Sequence, residues 1–479
     1  MATENKGELQ VKKRSLILAG GGMRLAYQAG VLIALEEQKL TFSHIDGTSG
    51  GIFNAGMMAS GLGAYDIADR WRKLDIKNFM SLRPLKKYFK PLKMMGYADA
   101  DGIRDKIFPD LGIDIRKINT HEGADITFNV CNFSDKTIEA IHHKDALEDH
   151  LLAGVSLPIV MPGIKIKDHW YSDAVWIKDA NLIEAVKRGS EELWLVWAIG
   201  NTETYLPGAL NQYVHMIEMS ANGGLLEEYE RIQMINEQIS NGNSSFGQTK
   251  PVTLNVIKPK YPLPLDPDLY FNKIDARSLI NMGYAEAKDN LKSIPDHGLP
   301  FDKQATKMSP PGTRLNIRTE FHGFLGENGT QHKASFYTYF VFSDHSDHQI
   351  LHAYSSINMD LFKKEIPCFD HHIKASKSHG RQKLECTCKF NIEGESYEIT
   401  ASWELCSAID LLLGLEFKSV EISVSTKNKT PAHYKGRLYQ NIKQQFKSIY
   451  STNVRHMDGT PGGLGSKYKM ASKLLNYEI

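Results

Sequence analysis

Two patterns in the chain predict an α/β protein with a mostly parallel sheet, followed by a smaller β-rich domain and a basic helical tail. Strand, glycine turn and helix recur twice within the first 60 residues, the order expected of parallel strands joined by crossover helices. From residue 314 the texture changes to short alternating strand-like runs. Ser15–Ala19 reads as a buried strand running into Gly20-Gly21-Gly22, and Ala26–Gln38 reads as a helix with Ala29, Val31, Leu32 and Leu35 at helical spacing. Phe42–Asp46 is a second short strand, and Ile52–Ser60 a second helix with small apolar residues in front. Ile126–Cys131 and Leu193–Ile199 read as further strands, with 146–152, 182–186, 208–240 and 274–292 helical.

The domain boundaries follow from these shifts. Residues 1–13 form a polar N-terminal tail, 14–295 the α/β domain and 296–313 a linker containing Pro310-Pro311-Gly312. Residues 314–425 form the β-rich domain, a sandwich or half-barrel, with a hairpin turn at Glu393-Gly394. Residues 426–479 form the basic helical and flexible segment, in which Leu438, Ile442, Phe446 and Ile449 share one helical face suited to docking.

Composition excludes several classes. With 479 residues, 42% apolar and 24% charged, the chain buries ample core and is no disordered polymer. A net charge of +1 gives no global field for nucleic acid, so none is expected as partner. Five cysteines, odd in number and mostly C-terminal, suit a reducing compartment better than a disulfide framework. Leu16–Ala19 is too short for a signal peptide, and no run approaches the roughly 20 apolar residues of a membrane span. A cytoplasmic location is therefore expected, peripheral on membranes when engaged.

The chemistry lies in two glycine clusters. Gly47-Thr48-Ser49-Gly50-Gly51 places a serine at a strand-to-helix turn whose strained backbone needs small neighbours, Gly47, Gly50 and Gly51. Gly20, Gly21 and Gly22 present side-chain-free amides that an ester oxygen can approach closely. A dinucleotide site is the rival reading of the glycines, but position 25 is Leu25 where the fingerprint needs glycine. Asp46, near the distance of a ribose ligand, leads straight into the serine turn. For the base, Asp173 in Trp170-Tyr171-Ser172-Asp173-Ala174 is the best candidate, with Trp170 and Tyr171 as a dry wall. A histidine base remains the open alternative: His215 and His297 lie downstream in no telling context, while His142, His143 and His169 come before Asp173.

Residues 14–295 resemble the patatin-like phospholipases. The resemblance rests on Gly20-Gly21-Gly22-Met23-Arg24, the Ser49 turn, the Ser156/Pro158/Pro162 approach and the Asp173 motif. It implies a three-layer α/β/α sandwich and a Ser–Asp dyad that hydrolyses acyl esters without metal or cofactor. Carried over by position, Ser49 is the nucleophile, Asp173 the base and the Gly20–Gly22 amides the oxyanion hole; Arg24 is a candidate phosphate contact. The chain departs from the family at Leu25 and Ala174, where glycine is usual. The implied substrate is a phospholipid or lysophospholipid, with transient membrane contact. The alternative is a lipid-binding or regulatory protein carrying a degenerate hydrolase domain.

Two further segments bear on partners. Residues 71–93 carry eight Lys/Arg against Asp75, interleaved with aromatics, and read equally as an interfacial segment or a solvated crossover. Asp344, His345, Asp347, His348 and His352 resemble a metal cluster in residue types alone, and a solvated loop is the better reading.

Overall fold

The computed structural model describes residues 13–79, 81–82, 98–201, 203–310, 312–345, 347–378, 381–413, 416–426 and 433–477. The N-terminal tail up to residue 12, and most of the cationic 71–93 stretch beyond Phe79, lie outside the described residues.

Eight strands build the first sheet: β1 (Arg14–Leu18), β2 (His44–Thr48), β3 (Asp125–Asn132), β4 (Thr137–His142), β5 (Ile164–Ile166), β6 (His169–Asp173), β7 (Glu192–Val196) and β8 (Thr253–Ile257). Their order is β8-β7-β1-β2-β3-β6-β5, with β4 also paired to β3. The five strands from β8 to β3 run parallel, while β4, β5 and β6 pair antiparallel. Side chains alternate across β1. Leu16 and Leu18 face a core shared with α1 (Ala26–Glu37) and α2 (Gly51–Ala59), whereas Ile17 and Ala19 face Leu225, Tyr229 and Ile232 of α3 (Ala209–Ser240). Two apolar cores on opposite faces of one sheet make the three layers.

The register of β3 sets the site. Strand β4 pairs along Thr127–Asn132, so β2 and β6 must share the other edge of β3. Thr48 lies opposite Asn129, and Asp173 lies opposite Val130. The end of β2 and the end of β6 therefore meet at adjacent positions of one strand, although 124 residues separate Ser49 from Asp173.

Behind this domain, the segment around Ala305 and Met308 is packed rather than free. Ala305 and Met308 join the α3-side core, and the Lys258 ammonium donates to the Ala305 carbonyl at 2.8 Å. Helix α4 (Ala276–Ser293) then carries the contact with the second domain: Asn281 Nδ2 donates to Ser356 Oγ at 3.0 Å, and Arg277 pairs with Glu365 at 2.9 Å.

The second sheet has ten antiparallel strands between Thr313 and Arg455 among the described residues. It is one curled sheet rather than a sandwich: its far strands approach each other, and Cys368 N donates to Ser355 O at 2.8 Å. Phe336, Phe340, Phe390 and Trp403 fill the interior. The Glu393-Gly394 turn joins Ile392 to Glu395 as expected, both turn residues having positive φ.

The C-terminal segment differs from a helical tail. His433–Tyr439 and Asn453–Arg455 are strands of the curled sheet, and α6 (Leu464–Leu475) sends Met470, Ala471 and Leu474 into its core. The helix between them, α5 (Ile442–Ser451), docks by its polar side: Ser448 and Ser451 are buried, while Ile442 and Phe446 are 73% and 68% exposed. Leu438 is buried because it lies on a strand before the helix, where the pleat rather than the helical repeat decides its direction.

Candidate active site

Strand β2 ends at Thr48 and α2 begins at Gly51, so Ser49 occupies a two-residue corner. Its φ of 51° is left-handed, a conformation that costs a residue with a side chain roughly 1–2 kcal/mol. Close packing around the corner explains the glycines. A Cβ on Gly51 would stand 2.0 Å from the Leu18 carbonyl oxygen, and one on Gly50 would stand 2.0 Å from a Leu25 methyl. On Gly47 it would meet the Ala55 methyl at 2.8 Å.

Ser49 Oγ donates to Asp173 Oδ2 at 2.7 Å, and both side chains are buried. Asp173 Oδ1 accepts from the Val175 amide at 2.9 Å, and the Asp173 amide donates to the Ser156 carbonyl at 3.1 Å. Burial raises the Asp173 pKa to about 7 against the lowering effect of the hydrogen bonds from Ser49 and Val175. A carboxylate of that basicity is matched to taking a proton near neutral pH.

The Gly20–Gly22 loop lies beside this pair, and its amides divide into two kinds. Gly20 N donates to Asp179 Oδ2 at 2.9 Å and is already engaged. Gly21 and Gly22, at φ 157° and 61°, have amides with no protein acceptor among the described residues, and both line the cavity with Ser49. Arg24 Nε donates back to the Gly21 carbonyl at 2.8 Å and braces the loop, while the side chain also borders the cavity.

Leu25 and Ala174 fit this frame. Leu25 is fully buried between Gly21 and Gly50 and does not border the cavity, so it ties the two glycine turns together without narrowing the site. Ala174 is buried, with φ outside the positive range, so a methyl is accommodated there.

A cavity of about 450 Å³ opens from Ser49 and Asp173, within the range of small-molecule sites. Its walls are apolar: Phe53, Val155, Leu157, Val175, Ile199 and Tyr213 among them. Trp170 and Tyr171 do not supply this wall. Trp170 is 38% exposed and Tyr171 only half-buried, and neither borders the cavity. Ile159, Leu210 and Phe271 stand exposed near the mouth, Leu210 and Phe271 also lining the cavity.

Several functional groups escaped the sequence reading. Asp46 is no ribose ligand: it is fully buried beneath the serine turn, accepting from Thr127 Oγ1 and Asn129 Nδ2, both at 2.6 Å. Asn129 Nδ2 also reaches Thr48 Oγ1 at 2.8 Å, and Asn181 Nδ2 donates to Asn129 Oδ1 at 2.9 Å. This network stiffens the corner under the nucleophile. Asp179, six residues past Asp173, is equally buried, and its Oδ1 lies without a partner against Gly20 and the Ser49 Cβ region. Burial, then the charge of Asp173, pushes its carboxyl well above the usual range. Polarity next to Asp173 was the only available signal.

Among the described residues no histidine hydrogen-bonds the Ser49 hydroxyl, which donates to Asp173. His215 pairs with Glu218, and His169 with Asp135 at the surface. The 344–352 residues do not converge on one point; His345 and His348 stack ring on ring, while Asp344 pairs with Lys473. Among the described residues, Asp125, His142 and His143 alone come together at ligand distance. Both His143 ring nitrogens are already used, by the Ile126 amide and the His121 carbonyl.

Residues 16–186 match the family model described as patatin-like phospholipase. No curated protein matches the chain. Among solved structures, VipD from Legionella pneumophila is 12% identical with a TM-score of 0.35, over 59% of this chain and 67% of that one. The type III effector protein ExoU is 13% identical with a TM-score of 0.23, over 48% of this chain and 59% of that one. At these scores the likeness is too loose to carry an argument.

Proposed function

We propose, for a chain whose residues 16–186 are a patatin-like phospholipase domain, that Ser49 and Asp173 act as a dyad hydrolysing acyl esters of glycerophospholipids or lysophospholipids. The family match over residues 16–186 supports a lipid ester hydrolase. The dyad reading rests on the 2.7 Å hydrogen bond between Ser49 Oγ and a carboxylate whose pKa burial has raised to about 7.

In this reading the acyl chain lies in the 450 Å³ apolar cavity and the ester carbonyl faces Gly21 and Gly22. Ser49 Oγ attacks the carbonyl carbon while its proton passes to Asp173 Oδ2. The oxyanion is held by the free amides of Gly21 and Gly22, and the start of α2 adds its positive dipole end. Collapse expels the glycerol-side alcohol, which takes the proton from Asp173, and leaves an acyl-Ser49 ester. A water then attacks as Asp173 takes its proton; the acyl–Oγ bond breaks, Ser49 Oγ takes that proton from Asp173, and the fatty acid leaves. Asp179 keeps Gly20 in place, and burial together with the charge of Asp173 disfavours a second charge there. Arg24 is placed to meet a substrate phosphate at the cavity edge. The exposed Ile159, Leu210 and Phe271 suit transient contact with a membrane, through which lipid would enter.

A fluorophosphonate probe tests the reading. Labelling of the full chain that disappears in Ser49→Ala, together with fatty acid release from lysophospholipid, is the expected result. A folded protein that neither labels nor releases fatty acid would make the domain a lipid binder instead.

A further inference from the structure

A second cavity, of about 330 Å³, lies between the α/β domain and the curled sheet. It shares Arg24, Leu210, Glu218 and Pro267 with the acyl cavity, so the two spaces adjoin. Their walls differ in kind. Where the acyl cavity is apolar, this one gathers Arg24, Lys273, Arg314 and Arg455.

The strand register makes that gathering costly. Arg314 and Arg455 lie directly opposite each other on antiparallel strands, an arrangement in which like charges repel. Burial, with Arg455's charge adding to it, holds the Arg314 guanidinium below its usual basicity. The acids nearby do not relieve it. Asp268 is paired with Arg455, and Glu218 with His215. Glu286 accepts from both Tyr27 and Tyr354, and burial raises it to about 7. Among the described residues no carboxylate stands within ion-pair distance of Arg314. Its Nε is closed off from solvent with no acceptor at all. Lys273 donates to the Tyr450 carbonyl and lies over the Tyr450 ring, and among the described residues it makes no ion pair, although the charge of Asp268 acts on it. A half-buried guanidinium whose Nε is closed off and which has no counter-charge is a penalty in the empty protein and an attraction to an anion. The Arg fork fits a phosphate with two parallel hydrogen bonds.

We propose that this interdomain cavity is a binding site for a phosphate-bearing group, with Arg314 as its central ligand and Arg455 and Lys273 beside it. The phosphate is that of the lipid whose acyl ester lies at Ser49, and the curled sheet thereby contributes headgroup recognition. The headgroup source rests on the acyl-hydrolase reading; the anion site stands on its own geometry.

Two measurements on the full chain test this. In the first, glycerol phosphate and inorganic pyrophosphate are titrated into wild-type protein and Arg314→Gln at constant ionic strength, with chloride as control. Either phosphate should raise the wild-type melting temperature by several degrees and should not stabilise the variant. In the second, kcat/KM is compared for lysophosphatidic acid and for the monoacylglycerol with the same chain, which differ only by the phosphate. Arg314→Gln should cost the phosphorylated substrate about tenfold to a hundredfold more than the neutral one. Arg314→Lys should recover part of that difference.

Stabilisation by pyrophosphate without a change in substrate ratio supports the anion site and assigns it to a free phosphorylated ligand instead of the headgroup. Stabilisation by phosphate in a protein inactive on every ester supports the site and removes the hydrolase reading alone. Should Arg314→Gln fail to fold, the wild-type melting series still decides. No stabilisation by either phosphate overturns the proposal.

Discussion

The sheet behind Ser49 buries Asp46, Asn129, Asp173, Asp179 and Asn181, whereas the interior of the curled sheet is filled by Phe336, Phe340, Phe390 and Trp403. The first domain thus places polar groups in its core at a cost in stability, and arranges each to serve the corner that carries the serine. The second uses its interior for packing and puts its buried charges, Arg318 and Glu365, at the seam with the first, paired with Asp275 and Arg277. Damage to the two cores should therefore differ in kind: loss of turnover from a folded protein in one, loss of fold in the other.

The largest expected effect sharpens that contrast most. Asp173→Asn keeps the shape of the base but cannot take the Ser49 proton, and kcat should fall by about 10⁴-fold or more while the protein stays folded. Circular dichroism and steady-state release of fatty acid on the same sample check both halves. Near-normal turnover would put the base elsewhere.

In the second domain the matching substitution is Trp403→Ala. Trp403 is buried against Phe336, Phe340 and Phe417, and removing it should cost about 3–5 kcal/mol in denaturant unfolding. Any turnover retained by the folded fraction should stay close to wild type. A large fall in the kcat of folded protein would show that the curled sheet shapes the catalytic corner directly.

What the sequence could say follows the same division. Ser49, Gly50 and Gly51 are legible because a strained corner tolerates few residue types, so chemistry leaves a local motif. Asp173 was reachable through its resemblance to a family motif, but its closeness to Ser49 comes from the register of β3, which no local pattern encodes. Asp46 and Asn129 were missed as site residues, since an isolated polar residue in a strand does not announce what it faces. The curled sheet was visible as alternation alone. Leu438 and Ile442 were misplaced on one helix because a strand ends and a helix begins between them, and helical spacing fits across that boundary by accident. Arg314 and Arg455 carry no motif; only their register makes them neighbours.

The raised pKa of Asp173 gives a pH signature that the second core lacks. For activity, the carboxylate must be ionised, so kcat/KM should fall tenfold per unit as pH drops below about 7. For stability the sign is opposite. A folded pKa of about 7 against roughly 4 unfolded means the folded state holds this proton more tightly. The cost of ionising it is absent below pH 4, grows between 4 and 7 and is fully present above. Asp173→Asn should therefore be more stable than wild type at pH 8, by ~2–4 kcal/mol, with that gain fading towards pH 4. Equal melting temperatures at pH 8 would place the folded pKa near its unfolded value.

The smallest expected effect concerns Asp179, which belongs to the polar core yet donates nothing to the dyad. Its Oδ2 holds the Gly20 amide, and burial favours its uncharged form. Asp179→Asn preserves the acceptor, so kcat should change by no more than about threefold, and the acid limb of the pH profile should stay where Asp173 sets it. Asp179→Ala leaves the buried Gly20 amide without a partner, at a cost of about 1–3 kcal/mol, and loosens the loop that aims Gly21 and Gly22. Its kcat should fall more than its KM rises, because the oxyanion forms only in the transition state. If Asp179→Asn instead lowers kcat as far as Asp173→Asn does, Asp179 carries a proton in the reaction, and the polar core contains a second acid–base group rather than a brace.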